Sequence, residues 1–399
     1  MSGPINWISQ VVSVSLFNVL TLPKRLGSSL TAVLGIAGVV AVMVAVLSIA
    51  QGILRTMESS SAPENVIVLR SGATSEMMSG LGGDAVRYIS EAPGVARNEN
   101  GAIASSELFV IIDVKKQSTG TDANVPLRGV TRAAPAVHQD FEIVEGRMFA
   151  WGLNDVVVGV GASREFRGLS VGDTIEVARE QWPVVGLFEA AGGVSEAEIW
   201  VDAAVLQTAY RRGNSYQSVY AKLESPDDFQ AFKDALTADP RLNVRPMREE
   251  DYYAEQSELL YNLVTGLGTL IAVIMGLGAV FGALNTMYTA VAARAREIAT
   301  LRALGFHAGP VVISVLLESL LLALAGGAIG AGLAWLAFDG FTAATLNFAS
   351  FSQITFAFHV SLPLLIQGIV FAVLIGFFGG LFPAVRAARL PIADALREQ

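Results

Sequence analysis

The sequence predicts a membrane protein of four transmembrane helices with a large α+β extracytoplasmic domain inserted between helices 1 and 2. Three observations predict it. The 399-residue chain is 52% hydrophobic and 16% charged, with a mean hydropathy of +0.51, which is too apolar for a large soluble enzyme. Four stretches each reach the roughly 20 apolar residues that a bilayer core demands of a helix. Between the first and second of them lies a polar segment of roughly two hundred residues, long enough to bury one or two small cores of its own.

Residues 1–25 open the chain. Apolar side chains at 5, 8, 11, 12, 16 and 19 or 20 fall near helical spacing, with Trp7 at the start, and predict a helix in the cytoplasmic interface before Pro23 and Lys24 turn the chain. No charge separates Arg25 from Arg55, which places the first span at 26–54. That run is longer than the apolar core of a signal peptide, so it is expected to stay as an anchor. The second span, 258–290, lies in the uncharged interval between Glu258 and Arg294. The third, 310–338, contains a single carboxylate, Glu318, and the fourth, 360–385, contains no charge. Residues 339–359 form a short external loop, 291–309 an intracellular connection and 386–399 a cytoplasmic tail.

Orientation follows from the basic residues at span ends. Lys24 and Arg25 precede span one; Arg294, Arg296 and Arg302 follow span two; Arg386, Arg389 and Arg397 follow span four. These flanks are expected in the cytoplasm, which puts both termini there and the insert on the other side. The insert, taken from Arg55 to Glu258, holds 31 acidic and 19 basic residues, a net charge of −12. Such a domain is a poor nucleic-acid binder, and its acidity reads first as a solvated surface. The basic tail suits anionic lipid or an acidic protein surface equally.

Within the insert, 55–257, short β-branched runs predict strands at 65–69, 107–114, 155–160, 174–177, 182–188, 199–201 and 218–223. Helices are expected at 83–91, 203–212 and 227–238, the last opened by Ser225-Pro226. Trp151, Trp182 and Trp200 read as core rather than ligand contacts. In the spans, Gly278 with Gly282, Gly326 with Gly330 and Gly376 with Gly380 stand four apart, a spacing that lets helix backbones approach closely in lipid.

Motifs for chemistry are lacking. The sequence has no G-x-x-x-x-G-K-[ST] phosphate loop and no G-x-S-x-G elbow, and Gly159-Val160-Gly161 lacks the third glycine of a dinucleotide loop. His138, His307 and His359 are far apart and fall in different predicted compartments, so no metal site is expected. With no cysteine there is neither a disulfide framework nor thiol chemistry. The chain therefore reads as a non-enzyme. Glu318 is expensive inside a membrane and suggests either a structural role near the cytoplasmic headgroups or a proton relay; its place eight residues after Pro310 favours the former.

The connection between spans two and three is the functional candidate. Arg294, Arg296, Glu297 and Arg302 interleave with Ala293, Ile298, Leu301 and Leu304, and Gly305 supplies a helix stop. On pattern alone this is either an amphipathic helix that offers guanidinium groups to a partner or a basic loop that only sets topology.

A resemblance favours the first. REIATLRALGF, residues 296–306, resembles the cytoplasmic coupling motif of the FtsX/MacB-like ABC transporter permeases, in the MacB/LolC style without a fused ATPase domain. FPAVRAARLPIADALRE, 382–398, resembles that family's C-terminal signature; LTAVLGIAGVV, 30–40, is similar to its first-span motif, and VEGRMF, 144–149, to a phrase of its external domain. The likeness covers the four spans and the domain order and is weaker inside the insert. It implies a MacB-like periplasmic core domain at 55–257, a bacterial inner-membrane location, and a coupling helix at 291–309. In that helix Arg294, Arg296, Glu297, Ile298, Leu301, Arg302, Leu304 and Gly305 would dock a separate cytoplasmic ABC ATPase. ATP and Mg would be bound by that subunit, leaving no cofactor on this chain. The resemblance further implies a second permease copy, membrane lipids and a periplasmic adaptor of the membrane-fusion type as partners. Its mechanism is mechanotransmission, with export of a lipid, lipoprotein, peptide or drug-like substrate. Two other functions fit the same family: an FtsX-like regulator of cell-wall hydrolases and a LolC-like lipoprotein-releasing permease. The size of the external domain favours the exporter.

Overall fold

The computed structural model describes residues 4–21, 26–138, 140–346 and 353–392; Lys24, Arg25 and Arg397 lie outside them. The helices, in chain order, are α1 (Pro4–Thr21), α2 (Leu26–Ser59), α3 (Gly83–Ser90), α4 (Ala134–Val137), α5 (Val160–Glu165) and α6 (Ala203–Ala209), then α7 (Phe229–Ala238), α8 (Glu249–Ala293), α9 (Ala295–Ala303), α10 (Ala308–Phe338) and α11 (Leu362–Ala388). The strands are β1 (Asn65–Arg70), β2 (Leu81–Gly82), β3 (Arg97–Asn98), β4 (Gly101–Ala102), β5 (Ala104–Lys115), β6 (Asp122–Val130), β7 (Phe141–Gly146) and β8 (Val156–Gly159). They continue with β9 (Thr174–Val177), β10 (Glu180–Ala190), β11 (Ile199–Asp202), β12 (Ser215–Tyr216), β13 (Ser218–Lys222), β14 (Val244–Arg248), β15 (Thr342–Leu346) and β16 (Gln353–Ala357).

The chain divides into two compact units. One comprises Met1–Gln51, Asn262–Phe341 and Phe358–Gln399; the other comprises Gly52–Tyr261 and Thr342–Ala357.

The first unit is a helical bundle. Among the described residues, four helices are long and apolar enough to cross a membrane, at Ser29–Met57, Glu249–Ala293, Ala308–Phe338 and Leu362–Ala388. The domain insertion falls between the first and second of these, as the hydropathy pattern predicts. Apolar burial gives little preference between a helix neighbour and a lipid tail, so small residues decide where backbones meet. A Cβ at Gly326 would lie 2.8 Å from the carbonyl oxygen of Val33, and one at Gly330 would fall against the carbonyl oxygen of Ala37, so α10 rides directly on α2. Gly376 and Gly380 of α11 meet Ser319 and Ala323 of α10 in the same way. Gly278 and Gly282 differ: among the described residues nothing comes within 4 Å of a Cβ there, and that face of α8 is exposed. α1 is helical, presents Trp7, Ile8, Val12 and Leu16 outward, buries Val14, and packs along α10.

The second unit is α+β. A ten-stranded sheet runs in the order β14-β1-β13-β5-β6-β11-β8-β10-β7, with β9 on β10. β5 is long enough to serve two neighbours: its first residues pair with β13 (Ser218↔Glu107) and its remainder with β6 (Leu108↔Gly129). One core lies under β1, β13, α3 and α7 around Val68, Ile89, Val219 and Phe232. Another lies under β5, β6, β8 and β10 around Leu127, Val158, Phe166 and Trp182.

Several elements depart from the sequence reading. β6 and β14 carry Pro126 and Pro246, residues that lack a ladder donor and argue against a strand from sequence, yet β6 sits centrally between β5 and β11. β15 and β16, which fall in the stretch read as a plain loop, pair antiparallel from Thr342↔Ala357 to Leu346↔Gln353. α8 begins at Glu249, ahead of the hydropathy boundary at 258, because Glu249, Glu250 and Asp251 suit the positive end of a helix dipole.

The contrast between Gly330 and its neighbour Gly332, which has nothing within 4 Å, gives a direct test of bundle packing. Gly330→Ala is expected to destabilise the detergent-purified chain by about 1–3 kcal/mol, the usual cost of overpacking. Gly332→Ala should hold or gain stability, since alanine is the better helix former by about 1 kcal/mol. Thermal unfolding of the two variants side by side checks this, and equal melting temperatures would refute the close α10–α2 approach.

Candidate functional site

α9 is set apart from α8 by a break at Arg294, whose backbone leaves the helical region at φ −109° and ψ 7°. The Arg294 carbonyl then accepts from Ile298 N–H at 2.9 Å and starts the new helix. Its end is closed by Gly305 at φ +97°: Gly305 N–H donates to Arg302 O and Phe306 N–H to Leu301 O, the paired bonds of a glycine C-cap. A side chain at that φ would be strained, so the stop read from sequence has a backbone cause.

The two faces of α9 have different tasks. Ile298 and Ala299 turn inward, Ile298 joining Met287, Val291, Val311, Val315, Ala384 and Ala387 in a buried cluster. Arg302 is half-buried and its Nη1 donates to the carbonyl oxygens of Ala388 at 2.7 Å and Leu390 at 3.1 Å, placing a cation at the negative end of α11. Leu301 is half-buried. Arg296, Glu297, Thr300, Ala303, Leu304 and Gly305 are exposed, Leu304 at 74%.

Arg294 departs from the expectation that it presents its guanidinium to a partner. It is 4% exposed and ion-paired with Glu318 of α10, itself 3% exposed. The helix break rotates Arg294 off the outer stripe that its sequence spacing suggests. Glu318 likewise meets a specific cation rather than the headgroups. The exposed face of α9 therefore carries Arg296, Glu297, Leu304 and Gly305 with Thr300 between them. At the end of α11, Arg386 lies over the ring of Tyr288, 5.4 Å from its centroid.

Sequence reasoning missed a second site altogether. In the inserted unit Arg128 of β6 is 3% exposed, and all five of its N–H donors are used. Glu76 takes two bonds at 2.7 and 3.0 Å, Glu198, the residue before β11, takes two at 2.7 Å, and Glu107 of β5 takes one at 2.8 Å. The carboxylates are held in turn. Ser218 donates to Glu76 at 2.6 Å, Trp200 Nε1 donates to Glu198 at 3.0 Å, and His138 Nε2 lies 2.9 Å from the free oxygen of Glu107. The first turns of α8, which precede its uncharged membrane portion, reach this cluster: Tyr252 OH accepts from the Glu76 backbone N–H, and Glu249 accepts from Asn65 Nδ2 at 2.8 Å.

Burial in such a place penalises charge, and the partners decide which groups keep it. Burial pushes Glu249 up to about 7, against the pull of His138 and the Asn65 bond. Burial would also raise Glu107, but His138 and Arg128 outweigh it and hold Glu107 below the usual carboxylate range. Burial alone would lower His138; the carboxylate of Glu107 overcomes this and raises it. Apart from the Trp200–Glu198 bond, which joins residues two apart, these contacts span sequence separations from 21 to 184 residues, so no local signal pointed to the cluster.

Of the tryptophans, Trp182 and Trp200 are fully buried, as expected of core residues. Trp151 instead borders an open groove of about 710 Å³ with Asn98, Asn100, Thr131 and Arg132. His138, His307 and His359 stay apart, and among the described residues no group of three or more His, Cys, Asp or Glu is arranged to hold a metal.

Comparison with known proteins agrees with this architecture. The MacB-like periplasmic core domain model matches residues 29–239, and the FtsX-like permease C-terminal model matches 269–392. The chain is 26% identical over 392 residues to the macrolide export ATP-binding/permease protein MacB of Chlorobium phaeobacteroides, covering 92% of this chain and 57% of that one. It is 25% identical over 239 residues to the uncharacterized ABC transporter permease YknZ of Bacillus subtilis, covering 57% of each. The extracellular domain of YknZ from Gram-positive bacteria aligns with 46% of this chain and all of its own at 14% identity and a TM-score of 0.35. The chain thus spans just over half the length of the MacB relatives it matches.

The buried cluster makes stability depend on pH with a definite sign. Glu249 and His138 both have raised values in the folded state, so the stability tied to their protonated forms is complete only below their ordinary values, 4.5 for Glu249 and 6.5 for His138, and is lost as pH rises through the folded values, about 7 for Glu249. Carrying Glu249 ionised costs roughly 3 kcal/mol by that displacement. The melting temperature of the purified chain, followed by tryptophan fluorescence, should fall between pH 5 and pH 8. Glu249→Gln should flatten that fall, and an unaltered slope in this variant would count against the assignment.

Proposed function

Because the chain belongs to the FtsX/MacB-like family of ABC transporter permeases, we propose that it is the permease part of a bacterial inner-membrane export system of the mechanotransmission type. It is a multi-pass membrane protein with both ends of the chain on the cytoplasmic side. In this reading a separate cytoplasmic ABC ATPase binds ATP and Mg and docks on the exposed stripe of α9. Its strokes reach the periplasmic domain through α8 and move a lipid, lipoprotein, peptide or drug-like substrate, with the help of a membrane-fusion-type adaptor.

The observation that carries the reading is α8 itself. It is one helix of 45 residues, about 68 Å at 1.5 Å per residue. An acidic beginning anchored beside Arg128 gives way to an uncharged stretch and ends at the break before α9. A stiff rod joined at one end to an exposed basic-apolar stripe and at the other to a folded head suits force transmission. Support for a second copy of the chain comes from the open faces of α8, where Leu263, Leu267, Ile274, Leu277 and Phe281 are exposed beside Gly278 and Gly282. Such a face would lie against lipid or against the same face of a partner, and small residues favour the partner. The cell-wall regulator and lipoprotein-release readings share all these parts and differ only in what the head meets.

The docking assignment has a direct test. Substituting Arg296 and Glu297 together with alanine should leave insertion intact and remove most of the co-purifying ATPase, with its stimulated hydrolysis falling by about tenfold or more, the loss of a hot-spot contact. Parental hydrolysis in that double variant would overturn the placement of the ATPase on α9.

A further inference from the structure

We infer that Arg294, Glu318 and Arg302 are positioning residues that fasten α9 to α10 and α11, so that force received by α9 enters three helices rather than α8 alone. The inference rests on the ATPase reading above and deepens it.

The argument begins with the break at Arg294. A helix that stops and restarts at one residue is a hinge unless something holds the new segment. Here the hinge residue itself is tied: Arg294 reaches Glu318 of α10 in a place where both side chains are excluded from solvent. An ion pair with so little water around it is directional, and either member left alone would carry a costly uncompensated charge. One residue beyond Glu318, Ser319 Oγ donates to the Gly376 carbonyl of α11 at 2.6 Å, at the point where Gly376 and Gly380 bring the two backbones together. At the other end of α9, Arg302 closes the circuit by binding the carbonyls of Ala388 and Leu390. Polar ties therefore run from α9 to α10, from α10 to α11, and from α11 back to α9.

Apolar contact alone would not do this. Ile298 seats α9 on the cluster below it, but such contacts resist sliding weakly when lipid tails offer an equivalent surroundings. Charges fix both position and rotation. The arrangement also gives the two arginines on either side of the exposed stripe a task distinct from that of Arg296: they hold the stripe still while a partner pushes on it.

The test uses the full chain with its ATPase in lipid nanodiscs and scores two quantities separately, the ATPase bound per chain and the hydrolysis per bound ATPase. Arg294→Gln and Glu318→Gln should retain the bound ATPase while hydrolysis per bound subunit falls by about fivefold or more, an effect on turnover rather than on binding. The reversed pair, Arg294→Glu with Glu318→Arg, should restore at least about half of the lost turnover, as expected when a coupling energy belongs to the pair. Arg302→Gln leaves no buried charge behind and should lower turnover in the same sense. Parental turnover in both single variants overturns the inference, as does loss of the bound ATPase in step with the loss of activity. If the reversed pair fails to insert, Arg302→Gln decides: parental turnover there overturns it. Failure of the parent chain to retain any ATPase would instead remove the proposed function, so the two failures are told apart.

Discussion

One buried guanidinium organises the inserted domain. Arg128 sits in the centre of a ten-stranded sheet with nearly no access to water, and its five donors are satisfied only because three carboxylates converge on it. Glu76 arrives from a turn after β1, Glu107 from β5 and Glu198 from the turn that leads into β11. Each must be in register for the charge to be tolerated, since breaking a buried pair by removing one partner typically costs about 3–5 kcal/mol. β5 passes from β13 to β6 at this point, so the cluster bridges the two cores that the strand joins. Three carboxylates on one arginine leave an excess of negative charge. His138 relieves it, and Glu249, raised to about 7 chiefly by burial, is about half protonated at neutral pH.

The bundle obeys a different rule. Its helices gain little from hiding apolar side chains, so its specificity lies in glycines and in a few polar ties. Of the three glycine pairs that the sequence spacing singles out, those of α10 and α11 face a neighbouring backbone or short side chain, and that of α8 has no described residue within 4 Å of a Cβ. Spacing records that a helix has a smooth stripe. What lies against the stripe is a property of the fold, or of a partner.

This difference explains how much the sequence disclosed. The four spans and the large insertion follow from hydropathy and from the thickness of the bilayer, and the stop at Gly305 follows from its lack of a side chain, which permits the positive φ there. Strands such as β1, β8 and β13 announce themselves by β-branched runs. β6 does not, because Pro126 and Gly129 mask it, and it carries the one residue on which the domain's charge balance turns. Arg128 looks like any surface arginine in the string VPLRGV. Its role arises from contacts across the whole insert, which no local pattern encodes. Arg294 is instructive in the opposite direction: its neighbours place it on a charged stripe, and a single departure from helical dihedrals at that residue takes it inside. Sequence periodicity assumes an unbroken helix and fails where the helix breaks.

α8 links these two observations through its own electrostatics. An aligned helix of this length carries partial positive charge at its start and negative charge at its end. At the start stand Glu249, Glu250 and Asp251, with Glu249 drawn into the polar cluster; at the end stands Arg294, drawn into the pair with Glu318. Between Glu258 and Arg294 no side chain is charged. Each terminus is thus fixed by buried polar partners in its own unit, while the stretch between them carries no charge and is held by close packing instead. Gly268 lies against Val46 of α2, Gly276 against Phe371 of α11, and Ala283 against Gly379 of α11, so the middle of the helix is placed by small residues where its ends are placed by polar ones.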